Sequence, residues 1–233
     1  MDPMGDLKDI VIGGLIEDIR QIEEAVAIRR EIRAKAVVIN EAAMGPLFSR
    51  LQMILGRHAV VSAVHLFDPP DDTHHSRSIP AALNQMRFTA DYLKIENREF
   101  VITKLISFGH NENEFEGIPD PWITQLLRKE FADRLPDAGQ PGSNELSVAL
   151  DSLSNARDKS IAHSEEVQTS DEWETSEKNI IMLLEYARDF TGTIGKVYLN
   201  TDFITADGDS IFRIDAERTT NILKQLLSKA GIQ

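Results

Sequence analysis

The sequence predicts an all-α protein, a helical bundle that opens on a long N-terminal helix and closes on a short C-terminal β-hairpin and one more helix. Three observations carry that expectation. Apolar residues recur three and four positions apart over nearly the whole chain, the spacing of a helix face rather than of a strand. Clusters of Pro, Gly, Asn and Asp interrupt that spacing at intervals suited to helices of ordinary length. Only residues 197–214 alternate in the two-residue manner of strands. At 233 residues and 42% hydrophobic content the chain can bury one sizeable core. A single domain over residues 1–233 is therefore expected, with its main body at about 40–195 and an appendage at 196–233.

Residues 6–40 read as the long first helix, with Ile12, Leu15, Ile16, Ile19, Ile22 and Val26 at helical spacing and Gly13-Gly14 weakening its first turns. Its run Arg29-Arg30-x-x-Arg33-x-Lys35 reads as a solvated charged face. Residues 42–67 make a second long helix whose apolar face is Leu47, Leu51, Ile54, Val61 and Val64, with Gly45-Pro46 a kink near its start. His58 and His65 share nearly one side of it, but no carboxylate stands at ligand spacing, so no metal site is read there. Residues 68–75 are a turn-rich loop. Ser78 caps a third helix that runs to Tyr92, with Pro80 in its first turn. Residues 94–107 continue helically, 110–121 form a polar insertion expected to be mobile, 121–135 are helical again, and 136–142 are a break. A helix from Ser143 follows. Thr169-Ser170-Asp171-Glu172 then offers a capping box for the helix that carries Ile180, Leu183, Leu184 and Ala187. Asp207-Gly208 is the turn signal of the expected hairpin, and residues 215–230 close the chain through Ile222, Leu223, Leu226 and Leu227.

The helix from Ser143 carries the most informative string, Asn155-Ala156-Arg157-Asp158-Lys159-Ser160-Ile161-Ala162-His163. Leu146, Leu150 and Leu153 form an apolar stripe whose continuation lands on Arg157 and Ile161, so an arginine stands where a leucine is expected. A guanidinium keeps its proton, and carrying it inward requires a carboxylate, backbone carbonyls or a bound phosphate. On a neighbouring face Ala149, Ala156 and Ser160 are small enough to admit another helix, and that face ends in His163. On an unbroken helix Arg157 and His163 lie about 120° apart around the axis and roughly 9 Å along it. They converge on one phosphate only if the helix bends or ends between them, or if two copies meet across a symmetric interface. The spacing by itself is equally that of an arginine in a structural ion pair beside an incidental histidine.

Arg157 to His163, with a polar residue directly after the arginine and Ala-His at the end, resembles the Arg-polar-x(3–5)-His motif of the HEPN superfamily, small helical domains with metal-independent ribonuclease activity. Upstream, Val61-Ser62-Ala63-Val64-His65-Leu66-Phe67-Asp68, a polar loop and Ser78-Ile79-Pro80-Ala81-Ala82-Leu83 resemble the branch found in abortive-infection proteins of the U type. The likeness spans about residues 40–190 and leaves the first helix and the C-terminal tail outside it. It implies an HEPN-like bundle and an endoribonuclease of toxin or phage-defence type that uses no metal and no cofactor. Arg157 would hold the phosphate, His163 would act as general acid or base, and Asp158 would orient one of them. RNA's own 2′-hydroxyl would be the nucleophile and 2′,3′-cyclic phosphate ends the product. The likeness further implies RNA as substrate, a homodimer in which two motifs meet, and an antitoxin protein as partner.

Composition narrows the alternatives. Without cysteine there is no disulfide, thiolate metal site or thiol nucleophile. Residues 11–15 are too short and too Gly-broken to span a membrane, and no secretory apolar stretch stands near the N-terminus, so a cytoplasmic protein without a membrane partner is expected. Phosphate-cradling Gly-rich loops, a Rossmann fingerprint, His-Glu-x-x-His, a nucleophile elbow and helical-array repeats are all missing. The formal charge of −13 opposes a protein that binds nucleic acid with its whole surface. That charge is uneven: Arg20, Arg29, Arg30, Arg33, Lys35, Arg50 and Arg57 make the N-terminal part basic, whereas Glu165, Glu166, Asp171, Glu172, Glu174 and Glu177 follow the motif. A second reading thus stands beside the first, a non-catalytic helical interaction module in which Arg157 and Asp158 are a structural pair.

Overall fold

A computed structural model describes residues 2–70, 76–135, 144–162, 170–203 and 210–232, with backbone alone at 160–162 and 170–172. Every regular element among them is helical. The expected first helix is a rod of several stretches. α1 (Pro3–Ile10) passes through a π-helical turn at Val11–Leu15 into α2 (Ile16–Ala34), and beyond Lys35 comes the short α3 (Ala36–Glu41). The π turn contains Gly13-Gly14, and the bare Gly14 lets Arg77 lie against the rod: a Cβ there would stand 2.3 Å from the Cβ of Arg77. Arg77 donates to the Gly13 carbonyl at 2.9 Å and to the Asp9 carboxylate.

Gly45-Pro46 starts α4 (Gly45–His65) instead of kinking it, because proline's missing N–H is no loss in a first turn. The buried face of α4 is Phe48, Gly56, Ala59, Val60, Ala63 and Val64. Of the expected face only Val64 is buried, while Leu47, Leu51, Ile54 and Val61 face outward. Small residues win the interior here because α2 crosses α4 closely, and α4 also packs on α8 (Glu145–Ala162) and α9 (Ser170–Tyr198).

α5 (Ile79–Thr89) packs on α1 and on α7 (Asp120–Ala132), and α6 (Arg98–Ser107) on α9. One core joins them, running through Ile22, Ala63, Met86, Leu127, Leu153, Leu183 and Phe190. The ring of Phe131 stands edge-on to Phe108, Tyr186 and Phe190 within it. Residues outside the expected main body belong to this core too, from Leu7 and Leu15 to Tyr198, Phe203 and Phe212. The polar insertion after α6 is tied down rather than loose. His110 sits between Glu114 and Glu130, Asn111 and Glu114 form a capping box, Phe115 is buried, and Arg98 reaches Asp120 and the Ile118 carbonyl.

No strand occurs among the described residues, which corrects the expected C-terminal hairpin. Val197 and Tyr198 end α9, residues 211–214 are the first turn of α10 (Ile211–Lys229), and the turn pair Asp207-Gly208 lies outside the described residues. Four residues are too few to separate a two-residue period from a helical one. What decides is the cap: the Ser210 hydroxyl accepts the Phe212 N–H, and Phe212 stacks on Phe203 at 6.1 Å. α10 then lies along α2.

The basic run of α2 is solvated at Arg30 and Arg33, as expected, but these side chains also pair with α9. Arg30 pairs with Glu177 and Arg33 with Glu174. Arg29 inserts between helices, its guanidinium 3.6 Å from the ring centre of Trp173 and its Nη1 donating to the Gln52 carbonyl. Burial pushes the Arg29 pKa down to about 10, which leaves it protonated at neutral pH.

Candidate functional site

Asn144 opens α8: its side-chain oxygen accepts the Ser147 N–H at 2.8 Å, and its amide donates to the Leu135 carbonyl. From that anchor Leu146, Leu150 and Ala156 pack against the core, while Ala149 and Leu153 are buried within it. Ala149, expected to admit another helix, is covered by helices of its own chain. Arg157 comes one turn after Leu153, at the edge of this packing, with its side chain 30% exposed. Its Nε donates to Asp158 Oδ1 at 3.1 Å, and its Nη1 lies 4.0 Å from Asp68 Oδ1.

Asp68 is the partner that sequence reasoning did not assign. It follows the end of α4 and is held by its backbone: the Ser78 hydroxyl donates to its carbonyl at 2.7 Å, and its N–H donates to the His65 carbonyl. The Ile79 N–H bonds the Leu66 carbonyl next to it. The two strings that carry the family likeness, 61–68 with 78–83 and 157–163, therefore meet through the Asp68–Arg157 contact. The only sequence sign of this was that Asp68 closes the first of those strings. His65, three residues earlier, turns its Nδ1 to Asp18 Oδ2 at 3.2 Å. Nothing in the sequence marks Asp18 for that contact. His163 lies outside the described residues, as does the loop at 71–75.

Asp68 and Asp158 are both well exposed, at 41% and 68% of their side-chain area. Exposed ion pairs are worth about 0–1 kcal/mol each, so an oxyanion can take the place of the long Asp68 contact while Asp158 stays on Nε. Among the described residues no three His, Asp or Glu side chains gather as a metal site. A groove of about 810 Å³ between α2, α9 and α10 includes neither Arg157 nor Asp158 in its lining, and its cations Arg30, Arg188, Arg213 and Lys224 are paired with Glu177, Glu23, Glu217 and Glu31.

Fold and site define an all-helical protein with a solvent-edge arginine and two carboxylates at the junction of α4 and α8; among the described residues no helix is long and apolar enough to cross a membrane. Comparison with family models, with curated proteins and with solved structures gives no match to the chain.

Proposed function

We propose that the chain is a metal-independent endoribonuclease of toxin or phage-defence type, cleaving RNA by attack of the 2′-hydroxyl and leaving 2′,3′-cyclic phosphate and 5′-hydroxyl ends. The observation that supports this best is the setting of Arg157, a guanidinium at the solvent edge that is neither free nor locked. Asp158 on its Nε fixes the plane of the fork, and the weak, exposed contact with Asp68 is one that a phosphate can displace. In this reading Arg157 binds the phosphate and the charge that develops on it, and His163 transfers the proton. The enzyme works as a homodimer, and an antitoxin protein is its natural silencer.

The test uses purified protein, RNA and a chelator. Arg157→Ala and His163→Ala should each abolish cleavage, a loss of about 10²–10⁴ in rate for a general acid–base, with helicity unchanged. A substrate carrying hydrogen for the scissile 2′-hydroxyl should resist. Cleavage that survives both substitutions, or that needs a divalent ion, ends the proposal.

The interaction-module reading keeps one observation of its own. The formal charge is −13, and the basic run of α2 is spent on Glu174, Glu177 and Trp173 within the chain, not left as a phosphate track. Inactive protein that still binds a protein partner would favour it.

A further inference from the structure

α4 carries a feature that neither the core nor the Arg157 site uses. Leu47, Leu51, Ile54, His58, Val61 and His65 follow one another in steps of four and three. They form a straight file along the helix, about 27 Å long at 1.5 Å per residue. All six are exposed, and the aliphatic four, Leu47, Leu51, Ile54 and Val61, are open to 55, 38, 51 and 40%. Single exposed aliphatics are ordinary, but a continuous file marks a contact surface. Steps of four and three are the 3.5-residue repeat of a coiled-coil seam, with Leu47, Ile54 and Val61 at d and Leu51, His58 and His65 at a. Arg50 and Arg57 fall at the flanking g positions, and α4 contains no aspartate or glutamate. In a chain of formal charge −13 this is an acid-free strip.

We propose that this seam docks an acidic amphipathic helix of another protein as the second strand of a short coiled coil. The aliphatic residues supply the dry contact. Arg50 takes a carboxylate from the partner's flanking position, and polar partner residues opposite His58 and His65 fix the register. His65 already shares its Nδ1 with Asp18, so its place in the seam is anchored. A second copy of the chain suits the seam poorly. It would lay one acid-free helix on another and enclose two Arg50 side chains and four imidazoles with no carboxylate from either strand of the seam. Nucleic acid would meet the arginines and leave the aliphatic file in water. None of this depends on ribonuclease activity.

The experiment titrates the full chain, without RNA, with two synthetic three-heptad peptides followed by calorimetry. Both have Leu at a and d; one has Glu at e and g, the other Lys. The acidic peptide should bind and the basic one should not. Leu51→Gln with Ile54→Gln should abolish binding, and Arg50→Glu should weaken it by about tenfold or more through like-charge contact. Arg50 is exposed, so that variant reports even if the double substitution fails to fold. Binding of neither peptide, equal affinity for both, or affinity unmoved by Arg50→Glu overturns the proposal. So does a wild-type dimer in sedimentation that Leu51→Gln with Ile54→Gln dissociates, which would assign the seam to a second copy.

Discussion

Replacing Gly56 by alanine tests the crossing of α2, α4 and α9. In an open helix interior the change stabilises by about 1 kcal/mol, because glycine's backbone freedom is lost on folding. At this position the added Cβ would stand 2.5 Å from Arg29 Nη1, 3.1 Å from Arg29 Cζ and 3.3 Å from Trp173 Cζ3. The guanidinium cannot simply swing aside, since it lies over Trp173 and donates to the Gln52 carbonyl. Displacing it gives up a cation–π contact of about 1–2 kcal/mol and a charged hydrogen bond of about 1.5–3 kcal/mol. Less the propensity gain, Gly56→Ala should destabilise by about 1.5–4 kcal/mol. Urea unfolding measures it as a lower midpoint at unchanged slope, and the indoles report the site separately, because Trp173 is 5% exposed and Trp122 71%. In an Arg29→Ala background only Trp173 Cζ3 remains close, at 3.3 Å, and the penalty of the same glycine substitution should largely vanish. A stabilised Gly56→Ala in the wild-type chain, or a penalty undiminished without Arg29, would refute the reasoning.

His110 has its pKa raised, first by its hydrogen bond to Glu130 and then by Glu114, with burial opposing. Its folded pKa lies above the unfolded value, so its contribution is complete below about pH 6.5 and is lost as pH rises through the folded pKa. The stability gap between wild type and His110→Gln should accordingly shrink from pH 6 to pH 9, and a gap constant with pH would contradict the assignment. Ser78 is fully buried; its hydroxyl accepts the Ala81 N–H at 3.3 Å and donates to the Asp68 carbonyl. Ser78→Ala should cost about 1–3 kcal/mol in chemical denaturation through the lost cap and the stranded carbonyl. At Gly195 a Cβ would stand 2.4 Å from the Phe203 ring and 2.9 Å from the Thr201 carbonyl. Gly195→Ala should loosen α10, seen as faster amide exchange over residues 211–229 than in wild type, and unchanged exchange there would count against it.

The helices were legible because their signals are local. Ser78 with Pro80, the Asn and Pro breaks, and the spacing of Ile180, Leu183, Leu184 and Ala187 each act within a turn or two. What failed were judgements that needed a neighbour. Leu47, Leu51, Ile54 and Val61 made a sound apolar face, but α2 needed the small side of α4, and Arg29 claimed the space above Gly56. Arg30 and Arg33 are solvated as read, but their partners Glu177 and Glu174 could not be read from the run, because they lie more than 140 residues away in sequence. Residues 211–214 looked like a strand because the Ser210 cap and the Phe203 ring that make them a helix lie outside the run itself. At the candidate site the string named Arg157 and Asp158 directly. Asp68 is 89 residues from Arg157, and only the folded chain joins the two.

The π turn at Val11–Leu15 sets a phase. Leu7, Val11, Leu15 and Ile19 repeat every four residues, and all four are fully buried. In an ideal α-helix those twelve positions would carry the line about 120° around the axis and leave one end facing water. Bonding five residues back widens the turn, takes up the excess and keeps the line facing one way. In effect the rod holds one supernumerary residue. Deleting one residue from the turn would restore ordinary α geometry and leave eleven positions between Leu7 and Ile19, a drift of only about 20°, so Leu7 would still face α5 and the core, whereas one further residue inserted there would turn everything before it by about 100°. The turn can thus give up one residue without turning the rod, so a homologous chain should tolerate a single-codon deletion here more readily than a single-codon insertion.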